Sequence, residues 1–237
     1  MLQHSKAAPG FILFLILFTS GCALLEELPG DLRGNGSDEA RVAAALREAL
    51  IVGSERASDR AGQVDGYLGN AMIRIAMPPE VQRTTARLRM LGLGREVDEL
   101  EVAMNRAAEA AAGEAVAVFR NVITGMRPAD VYAVLNGPDD AATSYLRRQS
   151  ESVLKRRYQP IVTHHLSQVR ATELYGELAR RYNQLPLVDP ITVDLDDYVT
   201  GRALDGLFVL LAEEEKRIRE DPIARTTQLL REVFGRG

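Results

Sequence analysis

Thiols are nearly absent from this chain of 237 residues, in which Cys22 is the only cysteine. A single cysteine excludes a disulfide within the chain and any metal site built from several thiolates. Tryptophan is absent, and lysine is rare beside arginine. Positive charge is not in excess either, because the formal net charge is −4 at pH 7. A mildly acidic chain lacks the basic surface that binds nucleic acid, so we expect no nucleic-acid partner.

A continuous apolar run occupies residues 11–18, close to the start of the chain. The run is too short to span a bilayer core of about 30 Å. Lys6 precedes it and the small residues Thr19-Ser20-Gly21 follow it, which is the layout of an export signal. The stretch that ends in Gly21-Cys22 resembles the bacterial lipobox, in which the cysteine thiol is diacylated and becomes the mature N-terminus.

The lipobox resemblance implies a location for the protein. It implies that residues 1–21 are a signal peptide that is removed and that Cys22 carries the lipid. The lipid would hold the protein at a membrane of the bacterial cell envelope, facing the periplasm. Ala23, which follows the cysteine, is similar to the outer-membrane sorting pattern, so we expect the outer membrane. Acylation of Cys22 would leave no free thiol, which excludes thiolate catalysis.

The rest of the chain divides into a tether and a body. Residues 22–36 contain Pro29-Gly30 and Gly34-Asn35-Gly36, a composition that favours a flexible tether. Beyond them, apolar residues recur at helical spacing, and strand alternation is almost absent. We therefore predict a single all-α domain, a multi-helix bundle, over residues 37–237. The pattern leaves open one tiny two-stranded ribbon, formed by residues 72–77 and 192–195.

Start and stop residues predict where the helices lie. Ser37 has the chemistry of an N-cap, Pro79 suits the first turn of a helix, and Pro160 is expected to open a helix that runs to about Asn183. Residues 207–212 are apolar on every side, and residues 107–119 are mostly small and apolar, so both should lie at the centre of the bundle. Further helices or helix-rich segments are predicted at about 95–124, 128–136, 198–219 and 222–234.

Six blocks of sequence occur in the order of a known family. The most distinctive block is Met-Asn-Arg-Ala-Ala-Glu at residues 104–109, and the others fall at residues 66–78, 135–145, 198–208, 214–219 and 221–227. Together, over about residues 40–235, they resemble an uncharacterised bacterial family of exported helical proteins, domain of unknown function 4197. The resemblance implies an envelope protein, and it implies no particular activity.

Polar residues interrupt the Ala-rich helix at Asn105, Arg106 and Glu109, and Gly113 follows on about the same face. Two interpretations of this cluster stay open. It is either a solvated face that continues the charged residues upstream, or a polar patch inside the bundle where Gly113 leaves room for a neighbour or a ligand. A buried Arg–Glu pair would need further hydrogen bonds to offset desolvation.

The helix that follows residue 198 supplies the other candidate site residues. We take Tyr198, Asp205, Glu214 and Arg225 as groups that could pair with the cluster on the Ala-rich helix. One of these carboxylates could turn inward to meet an arginine. The surrounding run at residues 213–219 is nevertheless expected to be a solvated helix end, with the surface pairs Glu213–Arg217 and Glu215–Arg219 at i, i+4 spacing.

No pattern in the sequence predicts a catalytic residue, a metal ligand set or a cofactor. The adjacent pair His164-His165 chelates poorly on a helix, and the acids at 194, 196 and 197 are expected to cap the helix after them. Two function classes remain. The favoured one is a non-enzymatic binding or scaffolding module that recognises another envelope protein or a lipid. The alternative is an envelope hydrolase that uses a pocket of carboxylate, arginine and tyrosine side chains.

Overall fold

The computed structural model describes residues 31–82, 85–90, 92–184 and 190–220, with side chains from Glu39 onward. Within these residues the regular structure is helical and no strand occurs, so the predicted all-α class is confirmed and the optional ribbon does not form there. The helices are α1 Asp31–Gly62, α2 Pro79–Gln82, α3 Thr85–Met90, α4 Gly94–Ala111, α5 Glu114–Thr124, α6 Pro128–Leu135, α7 Ala141–Gln168, α8 Ala171–Asn183 and α9 Leu195–Glu220.

The chain divides into two units, one ending at Ala40 and one beginning at Arg41. The predicted signal, Cys22 and most of the predicted tether lie outside the described residues, as does the helix predicted at residues 222–234. Residues 31–36 were expected to end the tether, yet α1 already begins at Asp31. A helix that has formed extends by one hydrogen bond for each added residue, which carries α1 past the expected cap at Ser37. Among the described helices, none combines the length and hydrophobicity needed to cross a bilayer.

The core of the second unit forms where α4, α5, α7 and α9 meet, and α7 packs against each of the other three. Both segments predicted to be central contribute buried side chains to this core, although Val209 in the second is 37% exposed. Phe119 of α5 and Phe208 of α9 meet edge to face, with ring centroids 5.9 Å apart. The segment 107–119 is divided between α4 and α5 by a turn at Ala112 and Gly113. Gly113 is exposed, and a side chain there would meet nothing, so it accommodates no neighbour.

The helix expected to begin at Pro160 does not begin there, because Pro160 lies inside α7. An internal proline removes one helical hydrogen bond and costs about 3 kcal/mol. Tyr158 and Val162, which flank it, are fully buried, so packing of both sides holds the helix together. The chain turns instead after α7, where Arg170 adopts a left-handed conformation with φ of 55° before α8 begins.

A long non-helical segment, residues 63–78, connects α1 to α2, and we call it the 63–78 loop. Tyr67, Ile73 and Ile75 of this loop are buried in the core, so these side chains anchor the loop to the helices around it. Its close approach to α9 depends on Gly206. A Cβ at that position would lie 2.7 Å from Cε1 of Tyr67 and 3.0 Å from Cβ of Ile73.

Candidate functional site

Asn105 of α4 binds the backbone of the 63–78 loop as a neighbouring strand would. Its Nδ2 donates to the carbonyl oxygen of Ile75 at 2.8 Å, and its Oδ1 accepts from the Ile75 N–H at 2.9 Å. The second Nδ2 hydrogen is donated to the carbonyl oxygen of Glu101, also at 2.8 Å. Asn105 is fully buried. Its amide therefore satisfies both backbone groups of Ile75, which have no strand partner.

Glu109, one turn further along α4, holds the other end of the same loop. Its Oε1 accepts from the N–H groups of Tyr67 at 3.1 Å and Leu68 at 3.2 Å. Its Oε2 accepts from Nη1 of Arg106 at 2.6 Å, and Nη2 of Arg106 reaches Oδ1 of Asp65 at 2.7 Å. The Glu109 side chain is 6% exposed, whereas that of Arg106 is 38% exposed. The buried carboxylate is thus neutralised from the surface side and hydrogen-bonded from the loop side.

The structure therefore distinguishes between the two interpretations of the cluster. Asn105 and Glu109 are buried inside the bundle, so the solvated face is wrong for them. Arg106 alone remains partly exposed at the rim.

Two tyrosines secure the loop to α9. The hydroxyl of Tyr67 donates to the carbonyl oxygen of Ala203 at 2.6 Å, and the hydroxyl of Tyr198 donates to that of Ala76 at 3.0 Å. Burial raises the pKa of Tyr67 far above its usual value, and the carboxylates of Glu109 and Asp205 add to this shift. Burial also raises the pKa of Tyr198. Both hydroxyls consequently stay protonated and remain donors to the loop and to α9 at any physiological pH.

The remaining candidates do not join this cluster. Asp205 accepts from Nη2 of Arg147 at 2.5 Å and lies 3.4 Å from Nη1 of Arg202. Glu214 is fully buried, and its Oε1 lies 3.0 Å from Nη1 of Arg60. Neither acid pairs with Arg106, which binds Asp65 and Glu109 instead. Arg225 lies outside the described residues.

The run 213–219 is not the solvated helix end that the sequence predicts. Glu214 and Glu215 are both buried, and Glu213 pairs with Arg60 at 2.8 Å rather than with Arg217. The Glu215–Arg219 pair does form, at 2.8 Å. The error has a physical origin: helical spacing identifies partners within a helix, but not Arg60 of α1, which pairs with Glu213 and Glu214.

Glu215 has a role that sequence analysis missed, since its carboxylate caps α7. The carboxylate accepts from the N–H groups of Ala142 at 3.0 Å and Thr143 at 2.8 Å, and from the Thr143 hydroxyl at 2.8 Å. Asp140, at the N-cap position of α7, makes no such bond to the helix N–H groups. A cap from a distant helix leaves no local signal in the sequence, although the unpaired N–H groups of α7 required one.

The acids and histidines weighed as metal ligands have other contacts. Within the described segments, no three His, Cys, Asp or Glu side chains are grouped to hold a metal ion. Oδ1 of Asp194 accepts from the N–H of Asp197 at 2.9 Å, a cap at the start of α9 as predicted. The rings of His164 and His165 lie 5.9 Å apart at 81° and do not converge.

Two open grooves lie at the surface of the second unit. The first has a volume of about 320 Å³, lies between α4 and the α7–α8 corner, and includes Arg106, His165 and the exposed Val102 and Val169 in its lining. The second has a volume of about 450 Å³ and lies between α6 and α7. The polar cluster on α4 is therefore next to the first groove but contributes only Arg106 to it.

Comparison with known proteins identifies a family. A family model described as protein of unknown function (DUF4197) matches residues 36–235, which is most of the chain. No curated protein and no solved structure matches it.

Proposed function

The chain belongs to the DUF4197 family of proteins of unknown function, and from this premise we propose that it is a lipid-anchored envelope protein with a non-enzymatic helical body. In this proposal the lipid on Cys22 holds it at the outer membrane, facing the periplasm. The body acts as a binding or scaffolding module for another envelope protein or a lipid.

The proposal rests on one observation, which is that the side chains of the polar cluster bind other groups of the protein. Asn105, Glu109 and Tyr198 each direct their polar atoms to backbone groups of the 63–78 loop, and Arg106 neutralises the one buried carboxylate among them. A general base or nucleophile must be free to reach a substrate. These groups instead make hydrogen bonds within the protein, and those bonds hold the 63–78 loop in place.

The loop that is fixed in this way presents apolar side chains to solvent. Val64 is 79% exposed and Met72 is 65% exposed, while the loop is held in the core at Tyr67 between them. Large exposed apolar side chains on a rigid segment are typical of a contact surface, because little conformational entropy is lost when a partner covers them. We therefore assign the contact surface of the module to the exposed side of the 63–78 loop.

The hydrolase alternative lacks a supporting observation. Glycoside hydrolysis needs two carboxyl groups facing one bond, about 5–10 Å apart. Each of the two open grooves is lined by one carboxylate side chain, Glu99 in the first and Asp130 in the second. Asp130 is moreover held ionised, because hydrogen bonds from Arg127 lower its pKa, which is the wrong direction for a general acid.

Site-specific photo-crosslinking in the living cell tests the contact surface. A photoreactive residue would replace Met72 in the full chain, and the matched control would replace Met90, which is 79% exposed but lies on α3 outside the loop. We expect a discrete crosslinked product from position 72 and none from position 90. Equal products from both positions, or none from position 72, would contradict the assignment.

The lipid anchor has a separate test. The native chain should incorporate labelled palmitate, and Cys22→Ser should not. Equal labelling of the two chains would contradict the lipid anchor. It would not affect the contact surface, which the crosslinking experiment tests separately.

A further inference from the structure

The groove between α6 and α7 collects polar side chains, and three of them make no hydrogen bond or ion pair with a described residue. Tyr145 and Arg148 of α7 line it together with Asp130 of α6, and Ser144 and Gln149 complete its polar lining. Its volume of about 450 Å³ is in the range of small-molecule sites, about 300–1,000 Å³. The groove is separate from the 63–78 loop, so a ligand bound in it would not depend on the contact surface assigned to that loop.

Arg148 is exposed, and it has no hydrogen bond or ion pair with any described residue. Its neighbour Arg147 binds Glu151 and Asp205 and lies 5.0 Å from the ring centroid of Phe208. The two side chains point to different sides of α7, and only Arg148 faces the groove with an unused guanidinium. An unpaired arginine has five N–H donors available in a planar fork, which matches a carboxylate.

Tyr145 lines the same groove as Arg148, one turn earlier on α7. Burial raises the pKa of Tyr145, the charge of Asp130 raises it further, and the charges of Arg127 and Arg148 oppose the shift. The hydroxyl is protonated and makes no hydrogen bond to a described residue. Among the described residues it therefore offers a donor to a ligand in the groove that Arg148 also lines.

The acidic residues around the groove limit the negative charge of the ligand that can bind there. Asp130 is neutralised by Arg127, whose Nε and Nη2 lie 3.0 and 3.1 Å from its carboxylate oxygens. Asp139 and Asp140 precede α7, and Oδ2 of Asp140 accepts from the Ser144 hydroxyl at 3.3 Å. Ser144 lines the groove, so the Asp140 carboxylate beside it would repel a dianion such as phosphate, whereas a monoanion requires only Arg148.

We propose that this groove binds the carboxylate end of a short peptide. Arg148 holds the carboxylate through two N–H donors, and the Tyr145 hydroxyl donates a third hydrogen bond to it. The side-chain amide of Gln149, which has no partner among the described residues, offers a donor and an acceptor to the preceding peptide unit. Pro138 and Ala141 supply an apolar wall for the peptide's side chains.

Calorimetric titration of the purified full-length chain in mild detergent tests the site. The probes are N-acetyl-dialanine with a free carboxylate, the same peptide as its carboxamide, and inorganic phosphate. We expect the free acid to bind at least about tenfold more tightly than the other two probes, since only it is a monoanion with a peptide group. No heat of binding from the free acid would overturn the proposal, and tighter binding of phosphate would reassign the groove to phosphate groups.

Two variants on the same helix locate the binding energy. Arg148→Gln should weaken binding of the free acid by at least about tenfold, since it removes a charge-assisted bidentate contact. Arg156→Gln is the control, because Arg156 is also an exposed arginine of α7 without a partner among the described residues, but it does not line the groove. Both variants should unfold at the temperature of the native chain. Equal binding by Arg148→Gln and the native chain, or equal weakening by Arg156→Gln, would refute the site.

Discussion

Replacement of Gly206 and of Gly201 by alanine should change stability in opposite directions, although both glycines lie inside α9. In an unobstructed helix interior, alanine is about 1 kcal/mol more favourable than glycine. A Cβ at Gly201 would meet no atom within 4 Å, so Gly201→Ala should stabilise the protein by about that amount. The same gain is available at Gly206, but a Cβ there overlaps the ring of Tyr67 and the Cβ of Ile73.

The ring of Tyr67 cannot move aside easily, because it is fully buried and its hydroxyl is fixed to the carbonyl of Ala203. Overpacking of a dense core costs about 1–3 kcal/mol, and the upper half of that range applies to a fixed neighbour. Gly206→Ala should therefore have a net destabilising effect of about 1–2 kcal/mol. Urea unfolding followed by circular dichroism measures both variants. If Gly206→Ala proves as stable as Gly201→Ala, the loop is not seated closely against α9.

Three further predictions concern the groups that hold the loop and the helices. Asn105→Ala should lower the free energy of unfolding by about 3 kcal/mol and expose the Ile75 amide to hydrogen exchange, because the buried Ile75 N–H loses its acceptor. The control is Asn136→Ala at an exposed position, which loses one local hydrogen bond and should lower it by under about 0.5 kcal/mol. Similar losses for the two variants would contradict the role of the buried Asn105 hydrogen bonds. Glu215→Ala should lower the free energy of unfolding by about 2 kcal/mol, because α7 loses its cap. Its thermal midpoint should lie below that of Glu213→Ala, since the ion pair of Glu213 with Arg60 is partly exposed. Equal midpoints would contradict the capping role. The free energy of unfolding should be level just below about pH 10 and fall above it, because tyrosines of the unfolded chain then lose protons that the buried tyrosines of the folded chain retain. Unfolding experiments between about pH 9 and pH 11 should show a smaller fall for Tyr67→Phe. A stability that rises over that interval would contradict the raised pKa of Tyr67.

The helical class was predictable because it depends on local pattern. Apolar spacing and the proline and glycine stops predicted most of the helices, and the two central segments were identified because their residues are mostly apolar. Local pattern was misleading at Pro160, where proline usually marks a first turn. Burial of Tyr158 and Val162 is a tertiary effect, and it outweighed the preference of a single residue.

The polar cluster was predictable only in part. Asn105 and Glu109 stand out because they interrupt an apolar helix, and such groups must be paired. Their partners are backbone groups of a loop that precedes α4, 30 to 42 residues away along the chain, and no spacing rule connects a side chain to a distant N–H. The same limit applies to Glu215, whose partners at the start of α7 lie 72 and 73 residues away. Contacts of this kind follow from the fold and cannot precede it.

The contacts of the 63–78 loop and of α1 with α9 join residues that are far apart in the sequence. This separation affects when each contact can form during synthesis of the chain. The bond from Tyr67 to Ala203 joins residues 136 apart, and the pair of Arg60 with Glu214 joins residues 154 apart. A chain delivered with its N-terminus first presents the loop long before α9 arrives, and closing so large a ring has an entropic cost that contacts must then offset. Tyr67 and Arg60 therefore lack their partners on α9 until the chain has been made as far as Ala203 and Glu214. Closure of the loop against α9 is for this reason a late step in the synthesis of the described part of the chain.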